Sequence, residues 1–378
     1  MFKFTDHKVS TIDRHFEDNF KFISKSRDSL YFITSFNKIL KKSLFNTRLS
    51  RTQRKYIFTF LKNYSSKAIK KRNIAKKNYG IAPETFVLEL TEYCNLNCKY
   101  CYSKSNSLAC KYIDVDTAEI IINEMEDLFG IRYVTVTGGE PFPYILEVAK
   151  RCRNSIFNVY TNGTQIDDII AKKIKKLGNI IPSVSLVGNQ EIHDSIRGKG
   201  SFQNMMLGVN HLVTNNIIWG FSITESGINI EDILNGKLLD LCNQFSPYLI
   251  RMIPFVEEGR TPKESLALTS TQRRDISKYI FSAQKKYDFL IYDYVNDKRL
   301  GISCMAGGIR YFNITPELTL TPCVFMNIGD KIKVDYNNKS TNILDLLSNS
   351  TKMNKSRKLG NMSNCVVIDE PRWREQII

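Results

Sequence analysis

Three cysteines stand close together in the stretch Cys94-Asn-Leu-Asn-Cys98-Lys-Tyr-Cys101. Thiolates are the ligands that iron–sulfur clusters take from proteins, and a cluster of four irons normally takes four of them. A set of three would leave one iron open to a ligand that is not protein, which predicts a site for chemistry. The alternative is a structural zinc ion, but zinc wants four ligands, usually as two close pairs, and no second CxxC or HxxxH pair exists in this sequence.

Other polar motifs follow short apolar runs that predict strands. After the strands predicted at 85–90, 133–137, 156–160 and 181–187 come the cysteine loop, Gly138-Gly139-Glu140-Pro141, Thr161-Asn162-Gly163, and His193-Asp194-Ser-Ile-Arg197-Gly-Lys-Gly-Ser-Phe202. Two glycines let a backbone approach a ligand closely, and a carboxylate accepts from an ammonium. Because chemistry gathers at the C-terminal ends of parallel barrel strands, we expect these motifs to surround one site.

The CxxxCxxC loop, the GGEP turn, the TNG segment and the HDxxRGxGSF segment together resemble the radical S-adenosylmethionine (SAM) superfamily. The resemblance implies a [4Fe–4S] cluster on Cys94, Cys98 and Cys101. It implies that SAM chelates the open iron and that one electron cleaves SAM to a 5′-deoxyadenosyl radical, which takes hydrogen from a substrate. An external one-electron donor of the flavodoxin or ferredoxin type would supply that electron.

The resemblance also implies residues that bind the cofactor. The GGEP turn would bind the SAM amino group, Ser185 would contact SAM, and Arg197 would hold its carboxylate. The full implied set is Tyr100, Gly138, Gly139, Glu140, Pro141, Asn162, Ser185 and Arg197. This chain departs at Val187, where the family usually has aspartate. His193 could serve as a base, but bracing its loop beside Asp194 is the favoured interpretation.

Strands predicted at 217–224 and 248–253 complete six strand–helix units, with helices at 114–129, 166–177 and 202–213. Asp116 is the predicted N-cap of the first helix, and Gly130 follows its end. This alternation indicates an α/β fold with a parallel sheet, matching the partial (β/α)6 TIM-type barrel of the family. The segment from Arg251 to Gly259-Arg260 resembles the family's last strand and is expected to line the substrate side.

A second cysteine set lies near the C-terminus. Cys304, a predicted hairpin at 311–322, Cys323 and Cys365 resemble the auxiliary-cluster domain called twitch, or a shortened SPASM domain. Leu318 occupies the position of a glycine in that pattern. The resemblance implies one auxiliary [4Fe–4S] cluster, whose fourth ligand is left open between a side chain, water and substrate; three ordinary buried cysteines are the alternative.

Cys110, Cys152 and Cys242 remain. Cys242 falls in a helical pattern and is most simply a core residue. As in family members that epimerise peptide residues, any of the three could donate hydrogen to a substrate radical.

The net charge of +16 is uneven. Residues 1–80 hold twenty lysines and arginines against five acidic residues, while 81–378 hold 34 against 33. Aromatic residues at helical spacing predict two to four amphipathic helices ending near Gly80. They are interpreted as an appendage of the catalytic domain, with docking of a polyanion such as an acidic peptide or nucleic acid as a secondary role.

We therefore expect a basic helical extension (1–80), a radical SAM partial barrel (81–300) and an auxiliary-cluster domain (301–378). No apolar run is long enough to span a bilayer, no signal peptide is evident, and free thiolates favour the cytoplasm. The expected function is hydrogen abstraction from a ribosomally made peptide or protein with an acidic leader, giving a crosslink or an epimerised residue. The alternatives are an RNA-modifying enzyme, a small-molecule dehydrogenase and a zinc-stapled interaction protein.

Overall fold

The architecture is that of a computed structural model, which describes residues 62–63, 65–260, 266–293, 304–361, 365–370 and 372–378. Most of the predicted basic extension therefore lies outside the described residues. Its last helix, α1 (Ser66–Tyr79), is described and ends at Gly80, as the sequence predicts. None of the helices in these ranges combines the length and apolar character needed to cross a bilayer.

Strands and helices alternate through the central part of the chain. The strands are β1 (Phe86–Thr91), β2 (Tyr133–Gly138), β3 (Ile156–Thr161), β4 (Ile180–Leu186), β5 (Gly220–Glu225), β6 (Leu249–Pro254), β7 (Leu290–Asp293), β8 (Asn313–Ile314), β9 (Thr319–Thr321), β10 (Asp330–Lys331), β11 (Val334–Asp335) and β12 (Ser340–Thr341). The helices after α1 are α2 (Val115–Phe129), α3 (Ile145–Arg151), α4 (Asp168–Leu177), α5 (Gln190–Arg197), α6 (Ser201–Thr214), α7 (Ile230–Leu234), α8 (Lys237–Asn243), α9 (Ser270–Ala283), α10 (Ile343–Asn349), α11 (Thr351–Gly360), α12 (Val366–Asp369) and α13 (Trp373–Ile377).

The main sheet runs in the order β10-β9-β8-β1-β2-β3-β4-β5-β6-β7. From β1 to β7 each strand pairs in parallel with the next one along the chain. On its other side β1 pairs with β8 rather than with β7, so the ring of strands stays open. The parallel α/β fold is confirmed, and all the catalytic motifs predicted after strands share one end of the sheet.

Two strand predictions need correction. Six parallel strands are predicted, but a seventh, β7, was not predicted because it has only four residues. The fifth strand begins at Gly220, three residues later than predicted. Ile217 is apolar, but its N–H donates to Leu212 O at 3.0 Å and closes the end of α6.

Helix α2 shows how local sequence sets an element's ends. Its N-cap is Asp114 rather than the predicted Asp116, because the Asp114 carboxylate accepts from Thr117 N (2.9 Å) and Thr117 Oγ1 (2.7 Å). Gly130 ends the helix in the left-handed region, with φ of 68°. A Cβ on Gly130 would lie 2.7 Å from Ala68, so glycine also lets α1 pack against this turn.

The C-terminal segment continues the barrel sheet. β8 and β9 form the predicted hairpin, with Asn313 opposite Thr321. Leu318 adopts a φ of 54°, a left-handed conformation that costs a residue with a Cβ about 1 kcal/mol. Leu318 also packs against the main core, which offsets that cost. Strands β8 to β10 belong to the same sheet as β1, so the sheet itself does not mark where the barrel ends and the C-terminal domain begins. The predicted domain boundaries stay predictions.

Phe312 joins the C-terminal segment to the barrel. It is fully buried, and its ring stacks on Phe86 of β1 with centroids 5.6 Å apart. Replacement Phe312→Ala is expected to lower the free energy of unfolding by about 3–5 kcal/mol, because it leaves a cavity at this junction. Chemical denaturation measures the change. The matched Phe281→Ala variant, at a side chain that is 53% exposed on α9, should lose far less; equal losses would contradict this role of Phe312.

Candidate active site at the strand ends

The cysteine loop follows β1 and is held at several points. Cys94 N donates to Asn106 O at 3.0 Å, and Lys99 N donates to Ile196 O of α5 at 2.9 Å. Cys94 lies within electrostatic reach of Cys98 and Cys101, so the structure brings the three predicted ligands together. Burial, with Glu140 and the other two thiols adding to it, raises the pKa of the Cys94 thiol to about 11. A bound metal would favour the thiolate against that penalty.

Arg260 fastens this loop from the far side of the barrel. Its Nη1 donates to Cys98 O at 2.7 Å, and its backbone N donates to Cys101 O at 3.0 Å. A Cβ on Gly259 would lie 2.2 Å from Cys101 O. Gly259 and Arg260 are predicted to line the substrate side, which stays a prediction. The structure shows that the pair holds the cysteine loop, because carbonyls exposed by an irregular loop need donors.

The GGEP turn packs directly on the start of the cysteine loop. Gly139 N donates to Thr91 O at 2.6 Å, and Glu140 N donates to Tyr93 O at 2.7 Å. A Cβ on Gly139 would lie 1.9 Å from Tyr93 O, and Gly138 has a φ of 119°. The close approach predicted for these glycines is therefore made by the cysteine loop's own backbone.

Glu140 ties the turn after β2 to the turn after β3. Its buried carboxylate accepts from Thr161 Oγ1 (2.7 Å), Asn162 N (2.7 Å) and Phe142 N (3.2 Å). Burial raises the pKa of this carboxyl to about 7. After Glu140 the chain turns into α3 at Pro141, whose carbonyl accepts a hydrogen bond from Ile145 N. Contact between the Glu140 carboxylate and the SAM amino group stays a prediction.

Asn162 links the β3 turn to the cysteine loop. Its Nδ2 donates to Asn95 Oδ1 at 2.8 Å, and Asn95 Nδ2 in turn donates to Thr164 Oγ1 at 2.8 Å. Thr164 closes the ring by donating from Oγ1 to Asn162 Oδ1 at 2.7 Å. Sequence reasoning missed Asn95 and Thr164, since their role depends on a contact between segments about seventy residues apart.

The HDxxRGxGSF segment forms α5 and the start of α6. Asp194 accepts from Gly200 N (2.9 Å) and Phe202 N (2.8 Å), which satisfies free donors at the beginning of α6. His193 is buried with its ring edge-on to Phe202 at 5.6 Å. Burial and the nearby Arg197 charge lower the pKa of His193 to about 3, so the imidazole is neutral. Both observations favour the bracing role over a base.

Arg197 ends α5 beside the cysteine loop and is within electrostatic reach of Tyr100 and Glu140. Its Nε is buried, and no residue in the described part of the chain accepts a hydrogen bond from it. An unsatisfied buried donor of this kind fits an anionic ligand group. Ser185 is half-buried on β4, opposite Ser222 of β5. The structure thus places both predicted SAM contacts at the same end of the sheet.

An apolar wall replaces the family's aspartate. Val187 is fully buried in a cluster with Tyr100, Ile196 and Phe255, and the Tyr100 ring meets Phe255 edge-on at 5.5 Å. Burial raises the pKa of Tyr100 to about 12. The backbone oxygen of Val187 accepts from Asn229 Nδ2 at 2.6 Å. An aspartate-dependent contact is therefore replaced here by hydrophobic packing beside the cysteine loop.

The C-terminal cysteines also come together. Cys304 and Cys323 are buried in one apolar cluster, and Cys365 lies within electrostatic reach of both. Cys304 N donates to Gly360 O at 3.1 Å, and Cys365 N donates to Asp369 Oδ2 at 2.9 Å. Burial is the main cause that raises the pKa of all three thiols, that of Cys323 to about 12.

The two cysteine sets are linked by packing. Tyr102, next to Cys101, meets Phe325 edge-on at 5.3 Å, two residues beyond Cys323. Its hydroxyl is 3.2 Å from Thr137 Oγ1 of β2. The auxiliary site therefore lies against the same end of the barrel as the cysteine loop.

Within the described residues, neither cysteine set closes around a single point. Across the described ranges, no three His, Cys, Asp or Glu side chains converge closely enough to hold one metal ion, as a tetrahedral zinc site with sulfurs at about 2.3 Å requires. A cluster binds each thiolate to a different iron, so its ligands surround the cluster rather than one point.

The remaining cysteines divide by position. Cys152 caps the end of α3 and precedes β3, at the opposite end of the sheet from the cysteine loop. Cys242 is buried in α8, in the main core. Neither position supports the hydrogen-donor role. Cys110 is exposed and lies beside the bridge between Thr91 and Tyr112, at the same end of the sheet as the cysteine loop. Of these three cysteines, Cys110 therefore remains the candidate hydrogen donor.

Replacement Gly139→Ala tests the contact between the GGEP turn and the cysteine loop. The new methyl group would collide with Tyr93 O, so we expect the variant to lose most of the iron held by the cysteine loop on anaerobic reconstitution. The control variant Gly80→Ala places the methyl group on a glycine with a φ of 72°, where no atom lies within 4 Å of it, and it should keep its iron. Equal iron content in both would contradict the contact's role.

Comparison with known proteins agrees with this geometry. Residues 88–235 match the family model of the radical SAM superfamily. An AdoMet-dependent heme synthase of Methanosarcina barkeri is 29% identical over 212 residues, covering 54% of this chain and 60% of the relative. The sporulation killing factor maturation protein SkfB of Bacillus subtilis is 24% identical over 253 residues, covering 64% of this chain and 60% of SkfB. The chain thus spans about three fifths of these curated relatives.

A solved structure shares the architecture. Streptococcus suis SuiB bound to its precursor peptide SuiA superposes with a TM-score of 0.62 at 16% identity, covering 77% of this chain and 71% of SuiB. SuiB has also been solved with S-adenosylmethionine. This likeness confirms the partial TIM-type barrel. The family match places residues 88–235 of this chain in the radical SAM superfamily.

Proposed function

We propose that this chain is a radical SAM enzyme that modifies a ribosomally made peptide or protein. The observation that carries the proposal is the convergence of Cys94, Cys98 and Cys101 with the buried, unpaired Nε of Arg197 at one end of the barrel. The named activities of two similar proteins point to the substrate class. SkfB is a maturation protein, and SuiB was solved with a precursor peptide.

Proteins of this superfamily use a [4Fe–4S] cluster and SAM. When bound, they supply one-electron cleavage of a sulfur–carbon bond and, through it, abstraction of a hydrogen atom. Cys94, Cys98 and Cys101 would hold the cluster, and Arg197 would bind the SAM carboxylate. The wall formed by Val187, Tyr100 and Phe255 keeps water from this side of the site.

Polar side chains within the barrel offer a surface toward the substrate. Arg251 of β6 donates from Nη1 to Ser183 of β4 and from Nη2 to Tyr133 Oη at 3.0 Å. Ser183 Oγ donates to Asn158 Oδ1 at 2.8 Å. The network spans four strands, and Asn158, Ser183 and Arg251 are buried, so it fixes the barrel's inner face rigidly. We infer that this face lies beneath the bound substrate.

Cys304, Cys323 and Cys365 would hold one auxiliary [4Fe–4S] cluster. Its place against the active end of the barrel suits an electron acceptor for the substrate radical, and hence an oxidative crosslink. An external one-electron donor of the flavodoxin or ferredoxin type would reduce the cluster of the cysteine loop. The basic extension of residues 1–80 is proposed to hold an acidic leader peptide, since it carries a large excess of lysine and arginine.

A tetrapyrrole-modifying enzyme is the second candidate, because one of the similar proteins is named a heme synthase. An RNA substrate rests on the charge of that segment alone and would show binding that weakens steeply with salt.

The function test has two stages. With dithionite, the reconstituted enzyme is expected to convert SAM to 5′-deoxyadenosine, and the Cys98→Ala variant to lose that reaction. The enzyme is then coexpressed with each short open reading frame beside its gene, and the peptides are weighed by mass spectrometry. We expect the mass of one peptide to fall by two hydrogens if a crosslink forms. If a residue is epimerised instead, the reaction repeated with purified enzyme in D2O should add one deuterium to the peptide.

The controls separate the candidates. Coexpression with Cys98→Ala should leave the peptide unchanged. Replacing the lysines and arginines of residues 1–60 by glutamine should weaken peptide binding while SAM cleavage persists. Turnover of an iron porphyrin with no peptide change would favour the tetrapyrrole candidate, and absence of SAM cleavage under all conditions would contradict the proposal.

A further inference from the structure

We propose that Tyr311 donates a hydrogen bond to the thiolate of Cys323 and so raises the reduction potential of the auxiliary cluster. The inference rests on the auxiliary cluster proposed above, but not on the peptide substrate. In the sequence Tyr311 only marks the start of a predicted hairpin. Its proposed role depends on a side-chain contact that no sequence motif predicts.

The geometry aims the hydroxyl at the cysteine set. Tyr311 Oη lies 2.9 Å from Cys323 Sγ. The ring packs against the apolar cluster that contains Cys304 and Cys323, and the hydroxyl is within electrostatic reach of Cys304 and Cys365. The hydroxyl therefore contacts one proposed ligand and lies near the other two.

The backbone around Tyr311 fixes its position. Tyr311 N donates to Met305 O at 3.1 Å, and Tyr311 O accepts from Gly308 N at 2.9 Å. Arg357 of α11 donates from Nη1 to Gly307 O at 2.6 Å, which holds the turn from outside. The chain thus folds back on itself directly after Cys304, so the phenol and the first proposed ligand belong to one rigid turn.

Other oxygen-bearing side chains near this set are already committed. Asp369 uses one oxygen for Arg273 (3.0 Å) and the other for Cys365 N (2.9 Å). Glu89 accepts from Asn313 Nδ2 at 2.6 Å. In the part of the chain that the structure describes, the Tyr311 hydroxyl is the side-chain group at hydrogen-bond distance from a sulfur of this set. Such a distance fits a donor to the thiolate rather than a ligand to a separate iron.

The direction of the effect follows from charge. One-electron reduction makes a cluster and its thiolates more negative, and a hydrogen bond to a thiolate stabilises the more negative state. Hydrogen bonds to the sulfurs and solvent exposure are among the factors that set these potentials. The bond is strong here because the sulfur is buried. The phenol keeps its proton throughout; only an electron moves, from the external donor or the substrate radical into the cluster.

The test uses the full-length chain with Cys94, Cys98 and Cys101 replaced by alanine, so that the auxiliary cluster is observed alone. Adding Tyr311→Phe should leave the iron content unchanged. It should lower the equilibrium constant for one-electron reduction on the order of tenfold, which is a shift of about 59 mV to more negative potential. Redox titration followed by EPR measures it.

The matched control is Tyr144→Phe, which also removes one hydroxyl hydrogen bond, to Ile113 O at 2.9 Å, and should not shift the potential. Repeating Tyr311→Phe with all cysteines intact gives an internal folding standard, since the first cluster's EPR signal should still respond to SAM.

An unchanged potential at full iron content overturns the inference alone. Loss of auxiliary iron with the standard intact would make Tyr311 a ligand instead. A parent chain with no auxiliary iron would overturn both this inference and the proposed auxiliary cluster.

Discussion

The pairing of β1 with β2 continues past the ends of both strands, and the active end of the molecule depends on that continuation. Two backbone hydrogen bonds, from Gly139 N and Glu140 N to the carbonyls of Thr91 and Tyr93, fasten the GGEP turn to the root of the cysteine loop. They form only because position 139 has no side chain to meet Tyr93 O. The loop that carries the ligands is thereby an extension of the sheet, not a separate flap.

From that root the polar contacts spread around the barrel. The Glu140 carboxylate holds the β3 turn, Asn162 reaches back to Asn95 in the cysteine loop, and Arg260 grips the loop's carbonyls from beyond β6. Each contact joins segments far apart in the chain, so the site forms only when the strands have assembled. A precise site held by such a supporting shell suits chemistry in which reacting atoms must be placed closely.

The second cysteine set is attached to the same sheet through β8, which pairs with β1 on the side away from β2. Phe312 stacks on Phe86, Asn313 bonds Glu89, and Tyr102 meets Phe325. The strands of the C-terminal segment therefore orient the second cysteine set relative to the first. Packing and strand pairing thus bring the second cysteine set to the same end of the barrel as the first.

Local patterns in the sequence account for much of this structure. Short apolar runs locate six parallel strands, Gly80 and Gly130 mark helix ends, and the cysteine spacings find both sets of thiols. Leu318 takes the left-handed turn that a glycine was expected to take. Long-range contacts were beyond such reasoning. No local sequence pattern predicts the hydrogen bond from Arg260 to the cysteine loop or the contact between the Tyr311 hydroxyl and Cys323. Strand β7 has four residues, which is too short for a clear strand pattern.

The central claim, two cluster sites with one open to SAM, is tested most directly by iron and sulfide analysis with EPR. The wild-type chain is compared with variants in which Cys94, Cys98 and Cys101, or Cys304, Cys323 and Cys365, are replaced by alanine. We predict about eight irons and eight sulfides per wild-type chain and about four of each in either variant. SAM should perturb the EPR spectrum only where the first set is intact. About four irons in the wild type, or a SAM response without Cys94, Cys98 and Cys101, would contradict the account.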